Sequence, residues 1–282
     1  MEPRRAAAYA TGGPVHGFDL GSSIDVSPLA WIPSERLVII VGNYGSGKTE
    51  VSVNLAVGLA KSGKRVQIAD LDIVNPYFRS REARATMEAC GIRVVIPPGA
   101  QAFADLPIVV PQIKAMLEPQ GDDYSIFDVG GDDVGAKMLS SFVEALGARP
   151  YALLQVINAR RPFTRTVDGC LAMRRMIEAA SRLEVTGTIV NTHLIDQTTE
   201  EVIAEGVALA AEVSERSGVP IEVVAAMGEL AESPRVLGLG YRVLKLERIM
   251  LPPWLRRDAK DDNADERGEP LPAPRPKPIF KS

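Results

Sequence analysis

The stretch Leu37-Val-Ile-Ile-Val-Gly-Asn-Tyr-Gly-Ser-Gly-Lys-Thr49 decides the fold, together with the apolar residues that follow it. Its opening apolar run is typical of a buried strand, and Val51, Leu55 and Leu59 recur at helical spacing. Between strand and helix, Gly42–Thr49 matches the pattern G-x-x-x-x-G-K-S/T in the setting that the pattern requires. The stretch therefore predicts one β–α unit joined by a loop whose backbone amides face phosphate groups.

The last two residues of this loop are predicted to act on the phosphates of a nucleotide. Lys48 should reach the β- and γ-phosphates, and Thr49 should supply a hydroxyl to Mg²⁺. A plain glycine turn between strand and helix is the alternative interpretation. The setting of the pattern favours nucleotide binding.

Strand-like and helical stretches alternate along the rest of the chain. Buried strands joined by helices indicate a three-layer α/β fold, in which a doubly wound, mostly parallel sheet lies between helices. The further strand candidates are Val66–Leu71, Ile92–Ile96, Tyr124–Val129, Tyr151–Ile157, Val185–Val190 and Ile221–Ala225, and the helix candidates include Arg79–Ala89, Val167–Ile177 and Val202–Val213.

The chain is predicted to contain one P-loop domain, at residues 35–251, between two tails. Residues 1–34 lack sustained periodicity and are expected to be flexible, and residues 252–282 form a proline-rich, charged tail that is expected to be disordered. Tyr241–Leu251 permits two interpretations, a basic amphipathic helix for membranes or a terminal strand over Val243–Leu246. We favour the packed strand, because its charges are mixed.

The composition is that of a globular protein, and it argues against several classes of function. Hydrophobic residues make up 46% of the 282 residues, and the formal net charge is −4, so there is no strong nucleic-acid signal. No apolar run is long enough for a membrane span. Cys90 and Cys170 form no C-x-x-C pair and so indicate neither a disulfide scaffold nor a cluster motif. These features predict a cytoplasmic protein.

Acidic residues follow two of the predicted strands. Asp70 and Asp72 are two residues apart, so both can face one magnesium–phosphate centre. Asp128 ends another strand and precedes Gly131, a combination that can link Mg²⁺ to a γ-phosphate sensor. For Asp70 and Asp72 the alternative is a strand-end turn with solvated or capping acids, and for Asp128 it is a tight turn that uses glycine for a positive φ.

Asn191 follows a third predicted strand. Its amide carries a donor and an acceptor and so can read the edge of adenine, although a turn or helix cap explains it equally well. The neighbouring His193 is expected to be structural rather than a ligand.

The order of these motifs along the chain resembles the order seen in one class of P-loop proteins. The P-loop, Asp70-Leu-Asp72, Asp128-x-x-Gly131 and Val-Asn191 resemble the MinD/ParA-like branch of P-loop ATPases, the SIMIBI class. More narrowly, Gly42–Glu50 and Asp70–Arg81 resemble a bacterial subgroup of CobQ/CobB/MinD/ParA-type ATP-binding proteins.

The resemblance implies a sheet of seven or eight strands, ATP and Mg²⁺ as cofactors, and a nucleotide-dependent homodimer that acts on a protein partner. It also implies that Asp72 orients the attacking water while Asp70 supports it, that Asp128 is linked to magnesium, and that Asn191 contacts adenine. The predicted site is the following. Catalytic residues are Lys48 and Asp72; nucleotide-binding residues are Gly42, Asn43, Tyr44, Gly45, Ser46, Gly47, Lys48, Thr49, Glu50, Gly131 and Asn191; metal ligands are Thr49, Asp72 and Asp128.

One position departs from the family pattern. Asn43 stands where the family has its first signature lysine, which in relatives crosses the dimer to the partner's nucleotide. The departure puts a trans-activated mechanism in doubt. Arg79, Arg81 and Arg84 are the candidates to replace the missing charge.

Three functions fit this sequence. The first is a slow ATPase switch that acts on a partner, with an enzyme activator or maturation factor preferred as the role. The second is a small-molecule kinase or ATP-dependent ligase, in which Asp72 accepts a substrate proton and Arg160-Arg161 is the only pair resembling a lid. The third is a nucleotide-sensing adaptor with little hydrolysis.

Overall fold

Strands and helices alternate through the part of the chain that the computed structural model describes. That part comprises residues 29–72, 81–96, 111–130, 135, 139–140 and 142–249. The strands are β1 (Leu37–Gly42), β2 (Val66–Leu71), β3 (Arg93–Val95), β4 (Tyr124–Val129), β5 (Ala152–Ile157), β6 (Gly187–Val190), β7 (Ile221–Met227) and β8 (Val243–Leu246). The α-helices are α1 (Lys48–Lys61), α2 (Arg81–Ala89), α3 (Pro111–Met116), α4 (Val143–Leu146), α5 (Val167–Ser181), α6 (Glu200–Ser217) and α7 (Pro234–Leu237).

All eight strands belong to one parallel sheet, in the order β3-β2-β4-β1-β5-β6-β7-β8. The chain starts near the middle, at β1, and winds outward in both directions, which confirms the doubly wound α/β fold. Because the strands are parallel, their carboxyl ends meet at one edge, and β1, β2, β4 and β6 bring the predicted site residues there.

The core lies on both faces of the sheet, because successive strand residues point to opposite sides. In β1, Val38 and Ile40 pack with the apolar side of α1. The alternate residues Ile39 and Val41 pack against α3, α4 and α5 on the other face. The sheet therefore forms the middle of three layers, and each β1 side chain is fully or almost fully buried.

Two of the long helices begin at side-chain caps. The hydroxyl of Thr166 accepts a hydrogen bond from the Gly169 amide at the start of α5, and that of Thr199 accepts one from Val202 at the start of α6. Each cap satisfies one of the amides that the first turn of a helix leaves unpaired. These ends therefore follow from local sequence.

The end of the described chain is a strand, as we favoured for Tyr241–Leu251. Val243–Leu246 forms β8 and pairs with β7, and no helix in the described ranges is long and apolar enough to cross a membrane. Beyond β8, the side chain of Asn54 on α1 donates to the Glu247 carbonyl at 3.0 Å and accepts from its amide at 2.8 Å. The segment after β8 is thus fixed to the helix that follows the P-loop.

Packed structure also extends ahead of the predicted start of the domain. Trp31, in the segment that we expected to be flexible, is only 2% exposed and belongs to the core beside α1. Leu29 packs against the same cluster. Residues 1–28 and 250–282 lie outside the described residues, and the second range includes the whole predicted proline-rich tail.

Candidate functional site

Gly42–Thr49 forms a loop at the carboxyl end of β1 that runs directly into α1. Gly45 and Gly47 have φ angles of 73° and 82°, which L side chains rarely adopt. A Cβ on Gly47 would lie 2.3 Å from the side-chain nitrogen of Asn191, so the loop also needs glycine there for space. The turn is closed by the Ser46 amide, which donates to the Asn43 carbonyl at 3.0 Å.

Lys48 and Asp72 form a buried ion pair at the edge of the sheet. Lys48 Nζ lies 3.1 Å from Asp72 Oδ2, and the two side chains are 7% and 6% exposed. Asp70 supports this arrangement, because its Oδ1 accepts a hydrogen bond from the Asp72 amide at 2.9 Å. The two predicted catalytic residues are therefore adjacent, with Asp70 behind them.

Asp128 lies at the end of β4, and its carboxyl group is almost completely buried. Burial raises its pKa to about 6, while the charge of Lys48 and hydrogen bonding by Thr49 and Ser52 act in the opposite direction. Ser52 Oγ lies 3.3 Å from Asp128 Oδ1 and also donates to the Lys48 carbonyl at 2.8 Å. Ser52, which sequence reasoning missed, thus joins the acid to the P-loop helix.

One oxygen of Asp128 fits the predicted magnesium role. Its Oδ2 is buried and has no hydrogen-bond partner among the described residues. An unpaired buried carboxylate oxygen is costly, and a water or hydroxyl held by a hard cation would satisfy it. Thr49 and Asp72 supply the further oxygen atoms that such a cation prefers. Gly131, predicted to follow on the same turn, lies outside the described residues.

Asn191, at the end of β6, lies against the P-loop. Its Nδ2 donates to the Ser46 carbonyl at 2.8 Å, and the residue is 4% exposed. A carbonyl only accepts hydrogen bonds, so the amide nitrogen faces the loop and Oδ1 remains for a ligand. Asn191 therefore braces the P-loop and lines the cavity, and its contact with adenine stays a prediction.

Three other predicted nucleotide-binding residues take different positions. Asn43 is 8% exposed, and its Oδ1 accepts from the Tyr44 amide at 2.8 Å, so this side chain folds onto its own loop. Tyr44 is 72% exposed at the mouth of the cavity. The Glu50 side chain accepts a hydrogen bond from the Ile249 amide at 2.7 Å and so holds the segment after β8.

Among the three predicted substitutes for the signature lysine, only Arg84 has a described side chain, and it does not lie at the P-loop. Arg84 pairs with Glu88 at 2.7 Å on α2, with about half of its side chain exposed. Arg79 and the side chain of Arg81 lie outside the described residues. Arg161, which we considered only as part of a lid, lies against the P-loop instead: its Nε donates to the Gly45 carbonyl at 2.8 Å.

A cavity of about 570 Å³ extends from the P-loop to the ends of β6, β7 and β8. One end carries the charged groups already described, and the other is more apolar. The apolar wall could not be found from the sequence, because it comes from residues far apart in the chain: Ile203, Ala225, Ala226, Met227 and Leu246. A cavity with a charged end and an apolar end suits a ligand that has a phosphate chain and a flat ring.

His193 forms part of the cavity wall and has an unusual pKa. Burial lowers the pKa to about 4, and the charges of Arg161 and Arg248 lower it further. Its Nδ1 accepts from the Ile195 amide at 3.4 Å. His193 is therefore neutral near pH 7, and its structural role stays a prediction.

Comparison with known sequences matches this arrangement to a family. Residues 37–227, more than half of the chain, match the CobQ/CobB/MinD/ParA nucleotide binding domain. The chain belongs to this family. Its motifs and its parallel sheet place it in the SIMIBI class of P-loop proteins.

Individual relatives of this CobQ/CobB/MinD/ParA domain are distant. An iron-sulfur cluster carrier protein from Deinococcus radiodurans is 30% identical over 46% of this chain and 44% of its own length, so the chain spans less than half of that relative. Cell division protein FtsY from Thermotoga maritima is 20% identical, with a TM-score of 0.47 over 70% of this chain and 64% of that protein. A nucleotide-binding protein from Archaeoglobus fulgidus, in complex with ADP, is 17% identical with a TM-score of 0.38 over 72% and 85%.

Proposed function

We propose that this protein binds Mg²⁺-ATP and hydrolyses it slowly, as a switch that acts on a protein partner. The observation that carries the proposal is the Lys48–Asp72 pair beside Asp128, whose Oδ2 is buried without a partner among the described residues. This group of side chains sits at the N-terminus of α1, where a P-loop holds phosphates. A cation and two acids at one phosphate site suit nucleotide hydrolysis.

We propose adenine as the base, as the family resemblance implies for Asn191. The Asn191 Nδ2 donates one of its two hydrogens to the Ser46 carbonyl, so Oδ1 and a second N–H remain for a ligand. The exocyclic amino group of adenine can donate to Oδ1, and an adjacent ring nitrogen can accept from the N–H. The apolar wall around Met227 and Leu246 suits the flat face of the ring.

The chain's own residues would divide the chemistry as follows. Lys48 moves from Asp72 toward the β- and γ-phosphates, and the freed Asp72 carboxylate accepts a hydrogen bond from the attacking water and orients it. Thr49, Asp72 and Asp128 would hold Mg²⁺, which neutralises charge that develops on the phosphate oxygens. The loss of the γ-phosphate would let the Lys48–Asp72 pair form again, so the pair differs between the two nucleotide states.

A protein partner reads that difference, and an enzyme activator or maturation factor in the cytoplasm is the role that we propose. A nucleotide-dependent homodimer is part of this proposal, and the exposed Tyr44 at the cavity offers a side chain for contact with a second copy. Cluster transport of the kind named for its Deinococcus relative is not part of it. Burial raises the pKa of Cys170 to about 12, and the described residues contain no group of three His, Cys, Asp or Glu that could hold a metal ion.

A direct test measures ATP and GTP binding and phosphate release by the purified protein, with Lys48→Ala and Asp72→Asn as variants. We expect Lys48→Ala to lose binding by at least about tenfold, because Lys48 is the loop cation for the phosphates. Asp72→Asn should keep ATP binding and lose hydrolysis. Tighter GTP than ATP binding, or undiminished hydrolysis by Asp72→Asn, would contradict the proposal. Turnover that needs a metabolite would favour the kinase alternative instead.

A further inference from the structure

Arg161 is a cation of the cavity wall that the proposed catalytic group does not use. The described cations that line the cavity are Lys48, Arg161 and Arg248. Lys48 is paired with Asp72 at 3.1 Å, and Arg248 with Asp196 at 2.8 Å. Arg161 has no acidic partner among the described residues. Its side chain donates a hydrogen bond from Nε to the Gly45 carbonyl instead.

The guanidinium group lies directly on the tip of the P-loop. A Cβ on Gly45 would be 2.9 Å from both Cζ and Nε of Arg161 and 3.2 Å from its Nη2. No hydrogen bond from the two terminal nitrogens is found to any residue of the described chain. The contact to the loop thus uses one edge of the planar group and leaves the other donors for a ligand.

The backbone that carries Arg161 is held in place by β5. The Arg161 amide donates to the Asn158 carbonyl at 3.1 Å, and the Thr164 amide donates to the Arg161 carbonyl at 3.1 Å. Asn158 is fully buried, and its side chain links this turn to His193 at the end of β6 through two hydrogen bonds of 3.4 Å. The turn that carries Arg161 is therefore held in position by hydrogen bonds.

The charge of Arg161 acts on a titratable group of the cavity wall. It contributes to the low pKa of His193, which lies on the same wall. At the loop itself, Asn43 is neutral and folded onto the Tyr44 amide. The P-loop consequently has no cation of its own before Lys48, and Arg161 brings one to it from the neighbouring strand end.

We propose that Arg161 binds the phosphate chain of the nucleotide within its own chain, from the side of the P-loop opposite to Asp72 and Asp128. The inference rests on the proposed nucleotide-binding function and adds a phosphate ligand to it. β5 and β4 flank β1 on opposite sides, so Arg161 and Asp128 approach the loop from opposite directions. A guanidinium group suits this place because its planar donors match phosphate oxygens.

The test compares ATP binding by the intact protein and by Arg161→Gln, Arg161→Lys and Arg160→Gln, by calorimetry with Mg²⁺ at several salt concentrations. Gln keeps a donor for the Gly45 carbonyl and loses the charge, whereas Lys keeps the charge. Arg160 is the matched control, because it pairs with Glu205 on α6. We expect Arg161→Gln to weaken ATP binding by about tenfold or more and to reduce its salt dependence. Arg161→Lys should bind ATP more tightly than Arg161→Gln, and Arg160→Gln should stay within about twofold of the unsubstituted protein.

Each contrary result has a definite meaning. A smaller loss in Arg161→Gln, an equal loss in Arg160→Gln, or an unchanged salt dependence overturns the proposal. Tighter binding by Arg161→Gln than by Arg161→Lys also overturns it, because the residue would then act through the Gly45 carbonyl and not through its charge. If the unsubstituted protein binds no nucleotide, the proposed function itself fails, which is distinguishable from equal binding by all four proteins.

Discussion

At the scale of single residues, the cavity wall contains a histidine that burial keeps neutral. His193 has its pKa lowered from 6.5 to about 4 in the folded protein. Between these values the unfolded chain binds a proton that the folded chain does not, so stability is present above pH 6.5 and is lost as the pH falls toward 4. The folded protein should thus lose stability in mild acid, as the unfolded chain takes up this proton.

We expect His193→Asn to reduce this acid sensitivity. Relative to the variant, the unsubstituted protein should lose about 1–2 kcal/mol of unfolding free energy between pH 7 and pH 5. Urea titrations of both proteins at pH 7, 6 and 5 measure the difference, and His16 is present in both, so its contribution cancels. Parallel stability curves for the two proteins would contradict the expectation.

Asn43 and Arg161 show how a departure at one position can meet a residue from far along the chain. The sequence shows Asn43 in place of the signature lysine and offers Arg79, Arg81 and Arg84 as substitutes for its charge. The structure places Arg84 with Glu88 and brings Arg161 to the loop, 116 positions after Gly45. Arg161 reaches the loop from far along the chain because parallel strands bring distant loops to one edge, while Arg79 and Arg81 stay untested candidates.

At the scale of elements, α1 joins the P-loop to the end of the chain's last strand. Asn54 is 1% exposed on this helix and makes two hydrogen bonds to the backbone of Glu247. Glu50, one turn earlier, accepts from Ile249. The segment after β8 therefore takes its position from the same helix whose N-terminus faces the phosphate site.

We expect Asn54→Ala to destabilise the protein by about 1–3 kcal/mol, because it leaves partly buried backbone groups of Glu247 without partners. Ser62→Ala is the control: its hydroxyl donates to the Gly58 carbonyl at the exposed end of α1, and its loss should cost less than about 1 kcal/mol. Chemical denaturation of the three proteins compares these values. Equal costs for the two variants would show that the contact with Glu247 contributes little.

Strands were easier to predict than short helices. Val66–Leu71 and Tyr124–Val129 were predicted at the bounds that the structure has, because each is a short, largely apolar run bounded by polar or glycine residues. The helices α3 and α4 were not predicted. Each spans six residues or fewer, which is too short for a helical period to stand out.

At the scale of the whole molecule, the buried carboxyl group of Asp128 lowers the stability of the folded state. Burial raises the pKa of Asp128 from 3.8 to about 6, so the folded chain holds a proton that the unfolded chain has lost between these values. Stability therefore falls as the pH rises from about 4 to about 6, and the full cost is present at neutral pH. A bound cation would offset that cost, which couples ligand binding to the stability of the fold.

We expect Asp128→Asn to be more stable than the unsubstituted protein at pH 7.5 without ligands, by about 1–3 kcal/mol, because the buried charge is gone. The variant should also lose the extra thermal stabilisation that Mg²⁺ adds to ATP, since an amide is a poor partner for a hard cation. Thermal melts with ATP, with and without Mg²⁺, measure both effects. A variant that is less stable at pH 7.5 and keeps the Mg²⁺ effect would contradict both parts.

The sequence by itself determined the α/β fold, the P-loop and the acids at the ends of β2 and β4, because these depend on local apolar runs and on fixed spacings within one segment. Only the tertiary structure reveals three contacts of the site: the buried pair of Lys48 and Asp72, the hydrogen bond from Asn191 to Ser46, and the hydrogen bond from Arg161 to Gly45. Each of those contacts joins residues that follow different strands of the sheet. Their distances depend on the order of strands in the sheet, which local sequence patterns do not encode.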